Sequence, residues 1–279
     1  MTLTSAKTAV IGLFLLAASL PATAQPPVVV TTLVNFSDLD GGPQDLDGVE
    51  NGVFTANGLT VRNVGAIIID VAQAGFNING DLVMQNSGAI RTPSIPTMDP
   101  GPALEFFITG SLNMKNDALI RSHGVAFGGS IHATIFGHLV MRDRARIEAN
   151  STAEGGTGGE IEMTVFWEIV MWHTTTRIMA CGMNGGSVKI ISTMAATCPA
   201  IAVRGMLKAV GFDGEGGLVE IAAFNGGVGI LDDGVPRIAA IGTESAGAVK
   251  IFAFKDVTPD QPFTQPPAMV TELGNPCGH

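Results

Sequence analysis

Basic side chains that recur at similar positions along this sequence are its clearest chemical feature. Guanidinium and ammonium groups bind carboxylates and phosphates, so a row of them predicts a surface for an acidic polysaccharide or a lipopolysaccharide. Arg142 and Arg144 extend the row, whereas Asp143 and Glu148 would neutralise its middle and leave an ordinary solvated face. The candidate ligand-binding residues in the row are Arg91, Arg121, Arg146, Arg177, Lys208 and Arg237.

Two tryptophans flank an apolar segment in the middle of the chain. Trp167 occupies a position that neighbouring copies of the repeat fill with Gly110 and Gly137, and Trp172 follows the same segment. An exposed indole can serve as a platform for a sugar ring, so both are candidate ligand-binding residues. The alternative is that both rings pack at corners of the fold.

Two Asp-x-Asp-Gly segments near the N-terminus suggest a calcium site. The carboxylates of Asp38, Asp40, Asp45 and Asp47 lie in a Gly-rich stretch, and calcium requires several oxygen ligands. The spacing does not complete an EF-hand loop, because Gly42 stands where a further oxygen ligand belongs. A structural calcium ion and plain acidic turns are therefore both open; no other cofactor is expected.

The sequence offers little for catalysis. Polysaccharide hydrolases and lyases require paired carboxylates, or a metal-bound acid with a basic residue nearby. Asp232-Asp233 is the adjacent acidic pair of the repeat region, and it is equally typical of a turn. The five histidines form no His-x-x-x-His motif, and no Gly-x-Ser-x-Gly is present, so no catalytic residue is predicted.

The first 24 residues have the pattern of a secretory signal peptide. Lys7 is followed by an apolar stretch from Ala9 to Leu20, and Ala22-Thr23-Ala24 is a cleavage site before Gln25. The apolar stretch is too short for a spanning helix, although a retained anchor is the alternative. The sequence therefore predicts a secreted protein, extracellular, periplasmic or on the cell surface, without a membrane span.

Composition narrows the range of partners. Removal of the signal leaves 14 basic and 25 acidic residues, a net charge of −11 that argues against a nucleic-acid partner. The cysteines are Cys181, Cys198 and Cys277, so an oxidising compartment allows one disulfide, and the three pairings stay open.

A repeat organises most of the mature chain. A pair of glycines or similar small residues recurs, and the second residue of each pair is Gly129, Gly159, Gly186, Gly217 or Gly247. These glycines are 30, 27, 31 and 30 residues apart. Between them the residues alternate with a period of two and show no helical period, which is typical of a β-solenoid.

Each copy of the repeat predicts three short strands. In one unit the first is Glu160-Ile161-Glu162-Met163, the second is Ile169-Val170-Met171, and the third centres on Ile178. We therefore expect a single-stranded, right-handed parallel β-helix of about seven rungs, each of about 23–32 residues. The predicted segments are a signal peptide (1–24), an N-terminal cap (25–58), the β-helix (59–255) and an irregular Pro-rich tail (256–279).

The outward residues of the predicted strands test this alignment. The outward residues of the first strand are Glu105, His132, Glu162, Lys189, Glu220 and Lys250. From Glu162 onward they alternate between acid and base, and opposite charges on adjacent rungs attract each other. The outer face of the second strand is unusually apolar and should be covered by the C-terminal tail or by a partner protein. Its residues are Val83, Asn113, Val140, Val170, Ala202 and Gly229.

Three short motifs recur between Leu59 and Phe254: Gly-x-[Leu/Val]-x-[Met/Val], Ala-x-Ile-x-Ala and Gly-Gly-x-[Ile/Val]-x-Ile. In these motifs the chain resembles secreted bacterial repeat proteins of the filamentous-haemagglutinin-like or adhesin type. The resemblance implies an exported or surface-associated protein. We therefore expect a secreted or envelope-associated protein that binds or scaffolds, adhesin-like, with affinity for acidic glycans. The alternative is a polysaccharide-active lyase or hydrolase on the same fold.

Overall fold

The computed structural model is an all-β solenoid. It describes residues 26–38, 49–50, 52–93, 98–197, 199–231, 233, 237–258, 264–267 and 269–272. Within these ranges, two sheets of nine strands and one of ten wind into the solenoid, and their strands pair in parallel except for Val49–Glu50 with Val53–Ala56, which pair antiparallel. The helical structure among these residues is a single 3-10 turn, Phe36–Asp38. The prediction of a parallel β-helix with three strands per turn is confirmed.

The strands of each turn belong to three sheets, here called the first, second and third in the order in which a repeat enters them. Within the described residues, the first sheet contains Val49–Glu50, Val53–Ala56, Gln73–Ile78, Ala103–Ile108, Ser130–Ile135, Glu160–Val165, Ser187–Ser192, Leu218–Ala223, Ala248–Ala253 and Met269–Glu272. The second contains Val28–Val30, Leu59–Arg62, Leu82–Gln85, Leu112–Met114, Leu139–Met141, Ile169–Met171, Ile201–Val203, Val228–Ile230 and Val257–Thr258. The third contains Leu33–Asn35, Ala66–Ile68, Ala89–Arg91, Leu119–Arg121, Arg146–Glu148, Arg177–Met179, Met206–Lys208, Ile238–Ala239 and Thr264–Gln265.

Like side chains stack on like inside the coil. In the second sheet the first and third residues of each strand point inward, so Met114, Met141 and Met171 follow one another on successive turns. All three are buried, whereas the residue between the two inward positions is half-buried on the outer face. The period-two alternation of each strand therefore produces a continuous apolar core along the axis.

The recurring second glycine marks a close approach between turns. A Cβ on Gly159 would overlap the carbonyl oxygen of Gly129 on the preceding turn, and Gly186 has the same relation to Gly159. The amide of Gly159 also donates a hydrogen bond to the carbonyl oxygen of Ala149, which directly follows the third strand of the previous turn. Glycine therefore recurs at this position because the backbones of adjacent turns are in contact at the corner before the first sheet.

The register predicted from charge alternation is also observed. Glu162 pairs with His132 on one side and Lys189 on the other, and Glu220 lies between Lys189 and Lys250. The Lys189 Nζ is 3.1 Å from a carboxylate oxygen of Glu162. Opposite charges on adjacent turns therefore lie side by side, as the alignment requires.

The solenoid continues past the boundaries expected from the sequence. Val28–Val30 and Leu33–Asn35, within the predicted cap, pair in parallel with the next strands of the second and third sheets. Val257–Thr258, Thr264–Gln265 and Met269–Glu272, within the predicted irregular tail, each extend one of the sheets. The segment assigned as a signal peptide lies outside the described residues. No helix of the described chain has the length and apolar character to cross a membrane.

Candidate functional site

The basic residues expected to form one stripe occupy two columns on the third sheet. Arg91 pairs with Arg121, but the next residue in that column is Glu148. Arg146 pairs instead with Arg177, in the column two residues earlier along the strand. The columns lie on either side of the same inward-facing residue, so they merge only when every basic residue beside it is counted as equivalent.

Glu148 neutralises the centre of this basic region. Its carboxylate is buried and lies 3.0 Å from Arg121 Nη2 and 3.6 Å from Arg146 Nη1, with His123 Nε2 also 3.6 Å away. Burial alone would raise the pKa of Glu148, but His123 and the two guanidinium groups outweigh it and hold the pKa below its usual range. Arg121 and Arg146 therefore belong to an ion cluster with Glu148 that stabilises the fold.

Replacing Glu148 by glutamine is expected to lower the free energy of unfolding by about 2 kcal/mol at neutral pH, because two cations would then face a buried neutral amide. The pKa of Glu148 is depressed on folding, so its stabilising contribution is present above the usual pKa of 4.5 and is lost as the pH falls through the folded-state value. Urea unfolding at several pH values measures both effects, and the wild type should lose more stability on acidification than the variant.

The control for this prediction is Asp117→Asn. Asp117 accepts two hydrogen bonds of 2.6 Å from Arg144, and these contacts lower the pKa of Asp117, but the pair is solvent-exposed. Solvent screens an exposed pair, so its loss should change stability far less than Glu148→Gln does. Equal losses in the two variants would show that Glu148 does not anchor the third sheet.

The other basic residues of the predicted stripe differ in environment. Arg237 is buried and forms an ion pair with Asp233, so it is not part of an accessible surface. Arg177 is exposed and Lys208 is half-buried on the outer face of the third sheet. The accessible charge of this region is therefore smaller and less continuous than the sequence suggested.

A second set of cations lines the corner between the second and third sheets. These residues, here called the cationic column, share one register at the C-terminal ends of second-sheet strands. They are Arg62, the last residue of its strand, and Lys115, Arg142 and Arg204, which directly follow theirs. All four are exposed, and none of them forms a salt bridge with another described residue. Sequence reasoning singled out only Arg142 from this set.

Trp172 stands within the cationic column. The guanidinium carbons of Arg142 and Arg204, on the turns before and after it, lie 5.6 and 5.7 Å from the centroid of its ring. Such cation–π contacts hold guanidinium groups in place without consuming their hydrogen-bond donors. Trp172 therefore orients the two arginines toward solvent in addition to packing at the corner.

A ladder of asparagines fixes the backbone beneath this column. The Asn86 amide donates to Asn63 Oδ1 over 3.2 Å, and the Asn116 amide donates to Asn86 Oδ1 over 2.9 Å. All three adopt a left-handed backbone with φ of 52–55°, which asparagine tolerates better than most residues. The residues before these asparagines are Arg62, Gln85 and Lys115, so the ladder supports the alignment of Arg62 and Lys115.

The outer face of the second sheet adjoins the cationic column. A shallow cavity of about 320 Å³ lies there, lined by Val83, Asn113 and Val140 and bordered by Lys115 and Arg142. Trp167 lies at the corner before the second-sheet strand Ile169–Met171, and Trp172 directly follows that strand. The two predicted tryptophans therefore lie at opposite ends of one second-sheet strand, and Trp172 is accompanied by cations that were not predicted for this region.

Trp167 is exposed and borders other aromatic rings. Its backbone amide donates to the carbonyl oxygen of Gly137, which confirms that it takes the position of a glycine in neighbouring turns. Its ring stacks on His138 with 6.3 Å between centroids, and Phe136 and Phe166 stack nearby at 4.4 Å. The ring is thus half packed and half available to solvent.

The expected cover over the second sheet is only partly present. Pro199, in the loop before one second-sheet strand, lies against Gly229, where an added Cβ would be 3.1 Å from its ring. The described part of the C-terminal tail extends the sheets and does not cross this face in the central turns. The cavity beside Val83 and Val140 therefore remains open in the described structure.

Several predicted features lie outside the described residues. Asp40, Asp45 and Asp47 are among them, and only the backbone of Asp38 is described, so the calcium prediction stays a prediction. Cys198, Cys277 and Asp232 are also outside. Cys181 is buried, and burial raises the pKa of its thiol, but the disulfide pairing stays open.

These features define the chain as a member of the structural class of parallel β-helix proteins, with a cationic and aromatic edge beside an open sheet face. No family model, curated protein or solved structure matches it.

Proposed function

We propose that the protein is an exported or envelope-associated binding protein that holds acidic polysaccharides against the outer face of its second sheet. The observation that carries the proposal is the stack of Arg142, Trp172 and Arg204. It presents two oriented guanidinium groups about 10 Å apart, since two turns separate them. Carboxylates or other anionic groups along a polymer would bind these groups, and sugar rings would lie on the open face.

The shape of the face favours an extended ligand over a small one. The cationic column runs parallel to the solenoid axis, so its charges recur at the spacing of the turns, about 4.8 Å or a multiple of it. The cavity beside it is shallow and only partly enclosed, unlike a pocket that surrounds a small molecule. Because the whole chain has a net charge of −10, the column is also a local exception that would direct an anion to this edge.

The export part of the proposal depends on the N-terminal segment and on the resemblance to adhesin-type repeat proteins. An exported β-helix with a glycan-binding face would act in adhesion or in contact with the envelope. The protein should be recovered from the medium or the envelope with Gln25 as its first residue. Recovery only from the cytoplasm, with residues 1–24 retained, would contradict export.

Binding is tested with immobilised polyuronate and a neutral glucan of similar length. We expect the purified protein to bind the polyuronate and to bind it at least about 10-fold more weakly when ionic strength rises from about 0.05 to 0.5 M, because exposed charges are screened. The neutral glucan should bind weakly and without this salt dependence. Absence of polyuronate binding at low salt would refute the proposal.

The polysaccharide-active alternative requires convergent carboxylates. Glu160 and Glu162 are one close pair among the described residues, and they lie on the first sheet rather than beside the cationic column. Appearance of new reducing ends or unsaturated products from the bound polyuronate, and their loss in Glu162→Gln, would favour the enzyme over the binding protein.

A further inference from the structure

Three metal-ligating side chains meet on the outer face of the first sheet. Parallel pairing places His132 directly beside Glu162 on the next turn, and Glu160 lies two residues earlier on the same strand and the same face. One ligand atom from each of the three lies within 4.8 Å of the others, and His132 Nε2 is 3.9 Å from a carboxylate oxygen of Glu160. All three residues belong to adjacent strands of a continuous sheet, so their backbones are held rigidly.

The donor set selects a class of metal ion. One imidazole nitrogen and two carboxylates suit zinc and neighbouring divalent transition ions, which bind such atoms at about 2.0–2.2 Å. Ligand atoms that surround one ion at these distances lie about 3–4 Å apart, so small rotations of the exposed side chains would close the site. Calcium prefers oxygen donors and a higher coordination number, so it fits this triad poorly.

The surroundings of the triad are negative and leave room for further ligands. Glu105 is the neighbour of His132 on the other side, so three carboxylates border the imidazole in this register. A shallow groove of about 290 Å³ begins at His132 and Glu105 and reaches Phe107. It exists because Gly75 replaces a side chain in the same column one turn earlier. Water or a small anion could complete the coordination from this groove.

One positive charge opposes metal binding. The Lys189 Nζ lies 3.1 Å from a carboxylate oxygen of Glu162, and it would compete with a cation for that carboxylate. The pair is exposed, so its strength is small compared with a metal–carboxylate bond. Lys189 therefore weakens the site without preventing its occupation.

We propose that His132, Glu160 and Glu162 bind a divalent transition-metal ion such as Zn²⁺ on the outer face of the first sheet. No contiguous motif indicates the site, since the residues are separated by almost a full turn. The site is independent of the polysaccharide-binding proposal, which concerns the second sheet. Each can therefore fail without the other.

Zinc binding to untagged, metal-depleted protein is measured by calorimetry, with Co²⁺ absorption as a readout of nitrogen coordination. We expect His132→Ala and Glu162→Gln each to weaken Zn²⁺ binding at least about 10-fold. His138→Ala is the matched control, since the side chains of His132 and His138 are both 45% exposed, and His138 lies beside a single carboxylate, that of Glu168 at 3.4 Å. Its affinity for Zn²⁺ should equal that of the wild type. Zinc binding that survives His132→Ala unchanged would overturn the proposal and place the ion elsewhere.

Lys189→Gln provides a test by gain of affinity, which a folding defect cannot imitate. Removing the competing ammonium group should strengthen Zn²⁺ binding about 3- to 10-fold and leave the spectrum of bound Co²⁺ unchanged. Glu220→Gln is the control on the same column, because Glu220 lies between Lys189 and Lys250 and is separated from His132 by Glu162 and Lys189. An unchanged or weakened affinity in Lys189→Gln would contradict the assignment of Glu162 as a ligand.

Discussion

A double charge reversal in the cationic column, Arg142→Glu with Arg204→Glu, is expected to weaken binding of an acidic polysaccharide at least about 100-fold at low salt. The variant loses two charge-assisted contacts and places two carboxylates against the anionic ligand, and like charges at an interface cost several kcal/mol. A factor of 100 corresponds to about 2.8 kcal/mol. Titration of the polyuronate by interferometry measures the change.

The matched control is Arg177→Glu with Lys208→Glu. It changes the net charge by the same amount, and it places the new carboxylates on the third sheet, within the stripe that the sequence suggested. Because Arg177 and Lys208 lie on another face, we expect less than about a 3-fold loss of affinity. A larger loss of affinity in the control than in the double charge reversal would show that the ligand binds to the third sheet instead.

The charge reversals should leave the fold intact. Arg142 and Arg204 are exposed and their contacts are with the face of Trp172, so removal of the guanidinium groups opens no cavity in the core. Surface substitutions of this kind usually change the free energy of unfolding by less than about 0.5 kcal/mol. A variant that unfolds at the same urea concentration as the wild type therefore reports on binding alone.

The architecture was readable from the sequence because a parallel β-helix stacks equivalent residues directly. Inward Leu, Ile and Met recur on every turn, and the glycine that contacts the preceding turn recurs with them. The column from Glu105 to Lys250 then fixes the register, and the observed pairs agree with it. In this fold, residues that align between repeats of the sequence are therefore direct neighbours on adjacent turns of the structure.

The site was less predictable because two outward positions flank every inward one. Arg121 follows the central Ile of its strand and Arg146 precedes that of the next, so the two belong to different columns, and Arg121 pairs with Glu148. Glu148 is buried and contacts His123, which lies in the loop after the third-sheet strand of the preceding turn. A period-two pattern contains no information on such loops.

The sequence nevertheless contained a usable signal for the residues that were missed. The residue after the Met of the second strand is Gln85, Lys115, Arg142 and Trp172 in four successive copies, and the same position of the next copy is Arg204. Extending each aligned strand by one residue would have shown this column. The strands at the two ends were harder to recognise, because they lie outside the series of glycine pairs and those at the C-terminal end lie among prolines.

Gly159→Ala is expected to destabilise the protein by at least about 3 kcal/mol, the largest effect on stability that we predict for a single methyl group. The added Cβ would overlap the carbonyl oxygen of Gly129, and the remaining close atoms are also backbone of the adjacent turn. No flexible side chain can move away, so the turns must separate and strain the hydrogen bond from Gly159 to Ala149. Urea unfolding followed by circular dichroism measures the loss.

Gly155→Ala, four residues earlier in the same loop, separates this contact from the general cost of replacing a glycine. Gly155 has a φ of 74°, and a Cβ added there would have no heavy atom within 4 Å, so alanine has space but an unfavourable backbone conformation. A left-handed conformation costs an alanine about 1 kcal/mol. The loss in Gly159→Ala should therefore exceed that in Gly155→Ala about threefold. Equal losses would mean that glycine recurs at this corner for its backbone freedom, and that the contact between turns does not determine the repeat.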